Sequence, residues 1–101
     1  MRRTLLGLAV TSIALYGSGA YAAGSGEGRT LEKVLKCNAC HSLSKEKDGP
    51  AYKDTAAKYK GKAGVTDQIT KAIMVKKDHP ELKVAAKEAD VKKVVEWILA
   101  Q

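Results

Sequence analysis

The 101-residue chain contains no phenylalanine and a single tryptophan, and aromatic residues make up only 5% of it. A core built on large aromatic side chains is therefore excluded, and the apolar interior must come from Val, Leu, Ile and Ala. Two cysteines exclude a disulfide-dense framework. With only two histidines besides, a four-ligand zinc site would have to use every Cys and His in the chain. No stretch alternates apolar and polar residues as a half-buried strand does, and no internal repeat appears. The longest apolar run, Leu5 to Tyr16, is short for a membrane span. Acidic residues are the minority charge, 11 against 18 basic, for a net +7. The excess is nearly all lysine and is dispersed along the chain. A solvated surface is the plain reading, and steering toward an acidic partner is the sharper one. No known nucleic-acid motif is present, so nucleic acid is not an expected partner.

What is present begins with a leader. Arg2 and Arg3 form a basic n-region, Leu5 to Tyr16 an apolar h-region, and Ala20-Tyr21-Ala22 a small-x-small cleavage site. Residues 1–22 are expected to be a secretory signal, with an uncleaved anchor as the alternative. Two arginines alone are too weak a signal for a twin-arginine address. Cleavage would leave 79 of the 101 residues, one small domain without stable membrane insertion. Without Arg2 and Arg3 the balance is 16 basic to 11 acidic, a net +5. The expected organisation is a signal at 1–22, a flexible segment at 23–29 and one domain over 30–101.

Cys37-Asn38-Ala39-Cys40-His41 carries the chemistry. This is the C-x-x-C-H pattern of covalent haem attachment. On a helical turn, residues at i and i+3 share a face, so both sulfurs reach one edge of a flat macrocycle and add across its vinyl groups. His41 follows about one turn beyond Cys37, where its imidazole can rise to the iron. Three other readings compete: a redox dithiol, a zinc site of Cys37, Cys40, His41 and His79, and a tight disulfide. The dithiol requires a βαβ context that is missing, and the adjacent Cys40-His41 pair fits zinc spacing poorly.

Periodicity outlines an all-α domain of about four short helices. Thr30 is a candidate N-cap for the first, with Leu31, Val34 and Leu35 as its apolar face. Gly49-Pro50 punctuates the polar stretch after His41. Ala51 to Tyr59 reads as a helix with Tyr52, Ala56 and Tyr59 on one side, ended by Gly61 and Gly64. Thr66 or Asp67 can cap the next helix, whose stripe is Val65, Ile69, Ala72 and Ile73. Pro80 bounds the loop that follows. The clearest helix is the last, Ala89 to Ala100, where Val91, Val94, Val95, Ile98 and Leu99 repeat at i, i+3, i+4, i+7 and i+8. A covalently bound haem would supply apolar bulk that so small a chain lacks.

Taken together, these pieces resemble the class I cytochromes c, specifically the short bacterial periplasmic subgroup. The resemblance runs from about Leu31 to Gln101. It rests on the pentapeptide, on Gly49-Pro50-Ala51-Tyr52-Lys53-Asp54 with Ala56-Ala57-Lys58-Tyr59 and Gly61-Lys62-Ala63-Gly64, and on Glu96-Trp97-Ile98-Leu99. It implies a small cytochrome c fold wrapped around one covalent haem c, with Cys37 and Cys40 as tethers and His41 as an axial iron ligand. It further implies that the Pro50 carbonyl accepts the Nδ1–H of His41, fixing its tautomer. The expected function is one-electron transfer in the periplasm with redox partner proteins, not catalysis. A haem-based sensor or small-ligand binder with an open or labile distal site is the alternative.

The chain departs from the family at two places. Lys36 stands where Gly often precedes the first Cys. The distal ligand is usually a Met before the last helix, commonly in a Met-Pro step, and here that step is His79-Pro80 with Val84 as the apolar residue beyond. His79, Met74 and no sixth ligand at all are the three candidates, His79 first. Histidine in place of methionine predicts a lower reduction potential than in Met-ligated relatives.

Overall fold

The computed structural model describes residues 26–101; the expected signal at 1–22 lies outside the described residues. Four helices follow in order: α1 (Gly26–Val34), α2 (Tyr52–Tyr59), α3 (Val65–Met74) and α4 (Glu88–Leu99). A single 3-10 turn, Cys37–Ala39, lies between α1 and α2. No strand occurs among the described residues.

The last helix organises the rest. Its Val91, Val94 and Val95 are buried, Val95 to 1% exposure, and with Leu35 they form the centre of the core. Leu31, Ile69, Ile73, Met74, Ile98 and Leu99 pack around them, partly buried. Apolar positions at i, i+3 and i+4 make one continuous stripe on a helix, and α1, α2 and α3 all lie against it. Glu88 and Asp90 in its first turn complement the helix dipole. The observed bounds fall within one residue of the expected Ala89 to Ala100 at each end.

The first helix starts earlier than its sequence suggests. Gly26 to Arg29, expected as the end of a flexible segment, are helical, and Thr30 is an interior residue instead of an N-cap. Tertiary contact overrides two weak helix formers here. Gly28 is buried against α4, where a Cβ would lie 2.6 Å from Trp97 Cβ and 2.7 Å from the Lys93 carbonyl oxygen. Glu27 also meets Lys93 across this crossing at 2.6 Å. The inward face is thus Gly28, Leu31, Glu32 and Leu35, the i, i+3, i+4, i+7 set. Val34, expected in the apolar face, sits one residue round from Leu35 and is 58% exposed.

The remaining corrections are at caps. Gly61 lies just beyond α2, but Gly64 opens α3 instead of ending α2: its carbonyl accepts the Gln68 N–H at 3.2 Å. Thr66 and Asp67 therefore lie inside α3 and do not cap it. Thr70 of α3 is buried without any apolar signal in the sequence; its hydroxyl donates to the Thr66 carbonyl at 2.7 Å. Between α3 and α4, Leu82, Val84 and Ala86 turn inward against the core, which anchors the loop carrying His79.

Candidate functional site

The segment from Cys37 to His41 is held by its own backbone. The Cys40 N–H and the His41 N–H both donate to the Cys37 carbonyl, at 3.2 and 3.1 Å. This closes one turn, and Cys37 and Cys40 stand three residues apart on it, both half-buried and unpaired. Burial, and then the charge of Glu32, push the Cys37 thiol up to about 11. A reactive dithiol needs a lowered pKa at its attacking cysteine, and at Cys37 the shift runs the other way.

His41 is fixed on two sides. Its Nδ1–H donates to the Pro50 carbonyl at 2.8 Å, which assigns the tautomer and leaves Nε2 as a bare acceptor. Its ring lies over Gly49, where a Cβ would stand 2.7 Å from Nδ1 and 2.8 Å from Nε2. Only glycine leaves room for the imidazole there. Tyr52 also stacks on the ring, centroids 5.5 Å apart at an interplanar angle of 24°. The register of this loop comes from Ser42 and Leu43, whose carbonyls accept the N–H groups of Tyr52 and Lys53 at 2.9 and 3.0 Å.

His79 is treated in the same way. Its Nδ1–H donates to the Pro80 carbonyl at 2.7 Å, so its Nε2 is also left bare. Its ring lies within 15° of parallel to that of His41, with centroids 6.2 Å apart. The loop reaches this position through two non-glycine residues in the left-handed region, Lys76 at φ 60° and Asp78 at φ 58°.

A cavity of about 260 Å³ lies beside both rings. It brings together Cys37, Cys40, His41, Pro50 and His79, with Leu35, Val91, Val95 and Ile98 among its apolar walls. Met74 does not line it; that side chain packs into the core cluster instead. No group of three or more His, Cys, Asp or Glu side chains fit to hold a metal ion by themselves occurs among the described residues, so Cys37, Cys40, His41 and His79 do not close into a zinc site. The donor set therefore fits a covalent haem: two thiols on one turn, a bare imidazole nitrogen on each of two parallel rings, and an apolar wall between helices.

Sequence reasoning passed over one pair at this site. Glu32 is 5% exposed and accepts a hydrogen bond from the Tyr52 hydroxyl at 2.8 Å. Its signal was a charge at i+4 from Gly28 and i−3 from Leu35, inside the buried stripe of α1.

No protein-family profile matches the chain. It is 39% identical over 77 residues to cytochrome c-551 of Allochromatium vinosum, covering 68% of this chain and 80% of that one. It is 31% identical to cytochrome c-551 of Azotobacter vinelandii, covering 71% of this chain and 94% of that one. Among solved structures, the class 1 cytochrome of Sideroxydans lithotrophicus ES-1 superposes with a TM-score of 0.58 at 31% identity, over 72% of this chain and 90% of that one. With an all-helical fold and a donor set that suits a covalent haem, the chain belongs to the class I c-type cytochromes, which hold one covalently attached haem c and carry single electrons.

Proposed function

We propose that this protein is a periplasmic one-electron carrier with bis-histidine ligation. Cys37 and Cys40 would tether the haem, His41 and His79 would hold its iron, and Pro50 orients His41. The observation that carries this reading is the pair of near-parallel imidazoles 6.2 Å apart. An imidazole nitrogen binds a transition metal at roughly 2 Å and lies about 1 Å from its own ring centre, so two rings sharing one metal have centroids roughly 6 Å apart. Both Nδ1 atoms already donate to backbone carbonyls, which leaves the two Nε2 atoms for the metal.

The haem, when bound, supplies an iron that takes up and gives back one electron. The chain's own residues supply the conditions. The Pro50 and Pro80 carbonyls make each imidazole more basic and hold its orientation in both redox states. The valines of α4 keep water from the cavity and lower its polarity. If His41 and His79 both held the iron, no position on it would be left for a substrate, which fits a carrier better than an enzyme or a gas sensor. Histidine opposite histidine, in place of methionine, gives a lower potential than in Met/His relatives.

The partner is a redox protein with an acidic docking surface, matched to a surface on which basic residues outnumber acidic ones. The leader-like pattern of residues 1–22 supports export to the periplasm, and no helix among the described residues is long and apolar enough to cross a membrane.

Replacing the distal candidates separates them. His79→Ala is expected to lose the low-spin ferric spectrum at neutral pH, whereas Met74→Leu is expected to keep it. A His79→Ala protein with an unchanged spectrum would sink the assignment.

A further inference from the structure

We propose that Glu32 is a potential-setting residue: its carboxylate, held by Tyr52 beside His41, biases the site toward the oxidised state. The proposal rests on His41 being an iron ligand.

Glu32 and Tyr52 are 5% and 3% exposed, and the Tyr52 hydroxyl donates to Glu32 Oε2 at 2.8 Å. Tyr52 is clamped between two rings. Its face stacks on His41 at 5.5 Å, and Trp97 meets it edge-on, also at 5.5 Å and at 79°. The hydrogen bond therefore connects a buried carboxylate, through one rigid aromatic residue, to the ring proposed to bind iron. Glu32 makes no salt bridge among the described residues; the acidic partners of those pairs are Glu27, Asp67 and Glu81. No cation among the described residues therefore pairs with it at ion-pair distance, although Arg29 and Lys33 line the same surface pocket. Its field reaches the tethering turn as well, since it contributes to the upward shift of the Cys37 thiol.

Stability alone does not account for a carboxylate here. A buried charge with one neutral hydrogen-bond partner is costly, and an apolar residue of similar volume would suit the stripe of Gly28, Leu31 and Leu35 better. Electrostatics gives it a role. Oxidation adds one positive charge at the iron, and a fixed negative charge nearby favours that state. At a separation of about 10 Å and an effective dielectric constant of about 20, the bias is on the order of tenfold in the redox equilibrium. Tyr52 acts as the positioning residue, since its hydroxyl holds the carboxylate in place.

The test is an equilibrium redox titration of the haem-loaded protein at neutral pH against a one-electron reference dye. Glu32→Gln keeps the shape and an acceptor for the Tyr52 hydroxyl but removes the charge. It is expected to raise the reduced-to-oxidised ratio roughly tenfold at a fixed poise, about 59 mV for a one-electron couple. An unchanged ratio overturns the proposal. If that variant does not fold, the double variant Glu32→Leu, Tyr52→Phe replaces the pair with apolar groups and decides in the same way. Tyr52→Phe alone keeps the carboxylate but releases it, and is expected to raise the ratio by less than Glu32→Gln does; a rise larger than that of Glu32→Gln assigns the effect to the hydroxyl and overturns the proposal too. The ferric absorption spectrum of each variant reports ligation separately. A normal bis-imidazole spectrum with an unmoved potential defeats the role of Glu32, while a spectrum without imidazole from His41 defeats the ligand reading beneath it.

Discussion

Lys36 sits at φ 61° and ψ 30°, immediately before the first cysteine. A side chain in the left-handed region costs an L-residue about 1 kcal/mol, and glycine adopts it freely. The family's frequent glycine at this point therefore has a conformational reason, not only one of close packing. Lys36→Gly is expected to stabilise the haem-loaded protein by about 1 kcal/mol, read as a rise of roughly 4–8 °C in thermal midpoint for a domain of this size. A fall in midpoint would contradict that account. Single residues also mark the limit of what sequence could tell. Cys37, Cys40 and His41 were legible because their spacing is dictated by covalent chemistry. His79 stood out as a candidate because the chain has only one other histidine. Glu32 was not legible, because a charged residue reads as solvent-facing until Tyr52, 20 positions away, is seen to cover it.

Helix boundaries divide in the same manner. The last helix was readable from periodicity alone, since its five apolar positions face a single core and its ends need no distant partner. The first helix was not, because its opening turn contains Gly26 and Gly28, and glycine argues against helix locally. What makes those residues helical is the crossing with α4, where Gly28 lets two backbones approach closely. Gly28→Ala would place a methyl group 2.7 Å from the Lys93 carbonyl oxygen, an atom that cannot rotate away. The helices must then part, and overpacking of this kind costs about 1–3 kcal/mol despite alanine's better helix propensity. Denaturant titration of the haem-loaded variant checks this; a gain in stability would mean the crossing is looser than described. The loop between α3 and α4 works differently. It holds His79 through three inward side chains and two left-handed residues, none of which a periodicity argument detects.

Across the whole molecule, the described core is small: the buried apolar residues are Leu35, Ala51, Tyr52, Val65, Val91, Val94 and Val95. That is consistent with a chain lacking phenylalanine whose fold closes around an apolar cofactor. Charge acts at the same scale. The basic excess is spread over the sequence, so no single pair dominates and its effect is on encounter. Electron transfer to an acidic redox protein is expected to slow several-fold as ionic strength rises from about 0.01 to about 0.15 M, where the screening length falls from about 30 to about 8 Å. Stopped-flow rates that do not change with salt would show that steering has no part in recognition.

The central claim is that one iron is held between His41 and His79. Electron paramagnetic resonance of the oxidised, haem-loaded protein at neutral pH, read with its near-infrared magnetic circular dichroism, tests it most directly. Two imidazoles predict a low-spin ferric signal with a bis-imidazole charge-transfer band. A thioether band, which would point to Met74, or a high-spin signal from an open iron, would contradict it.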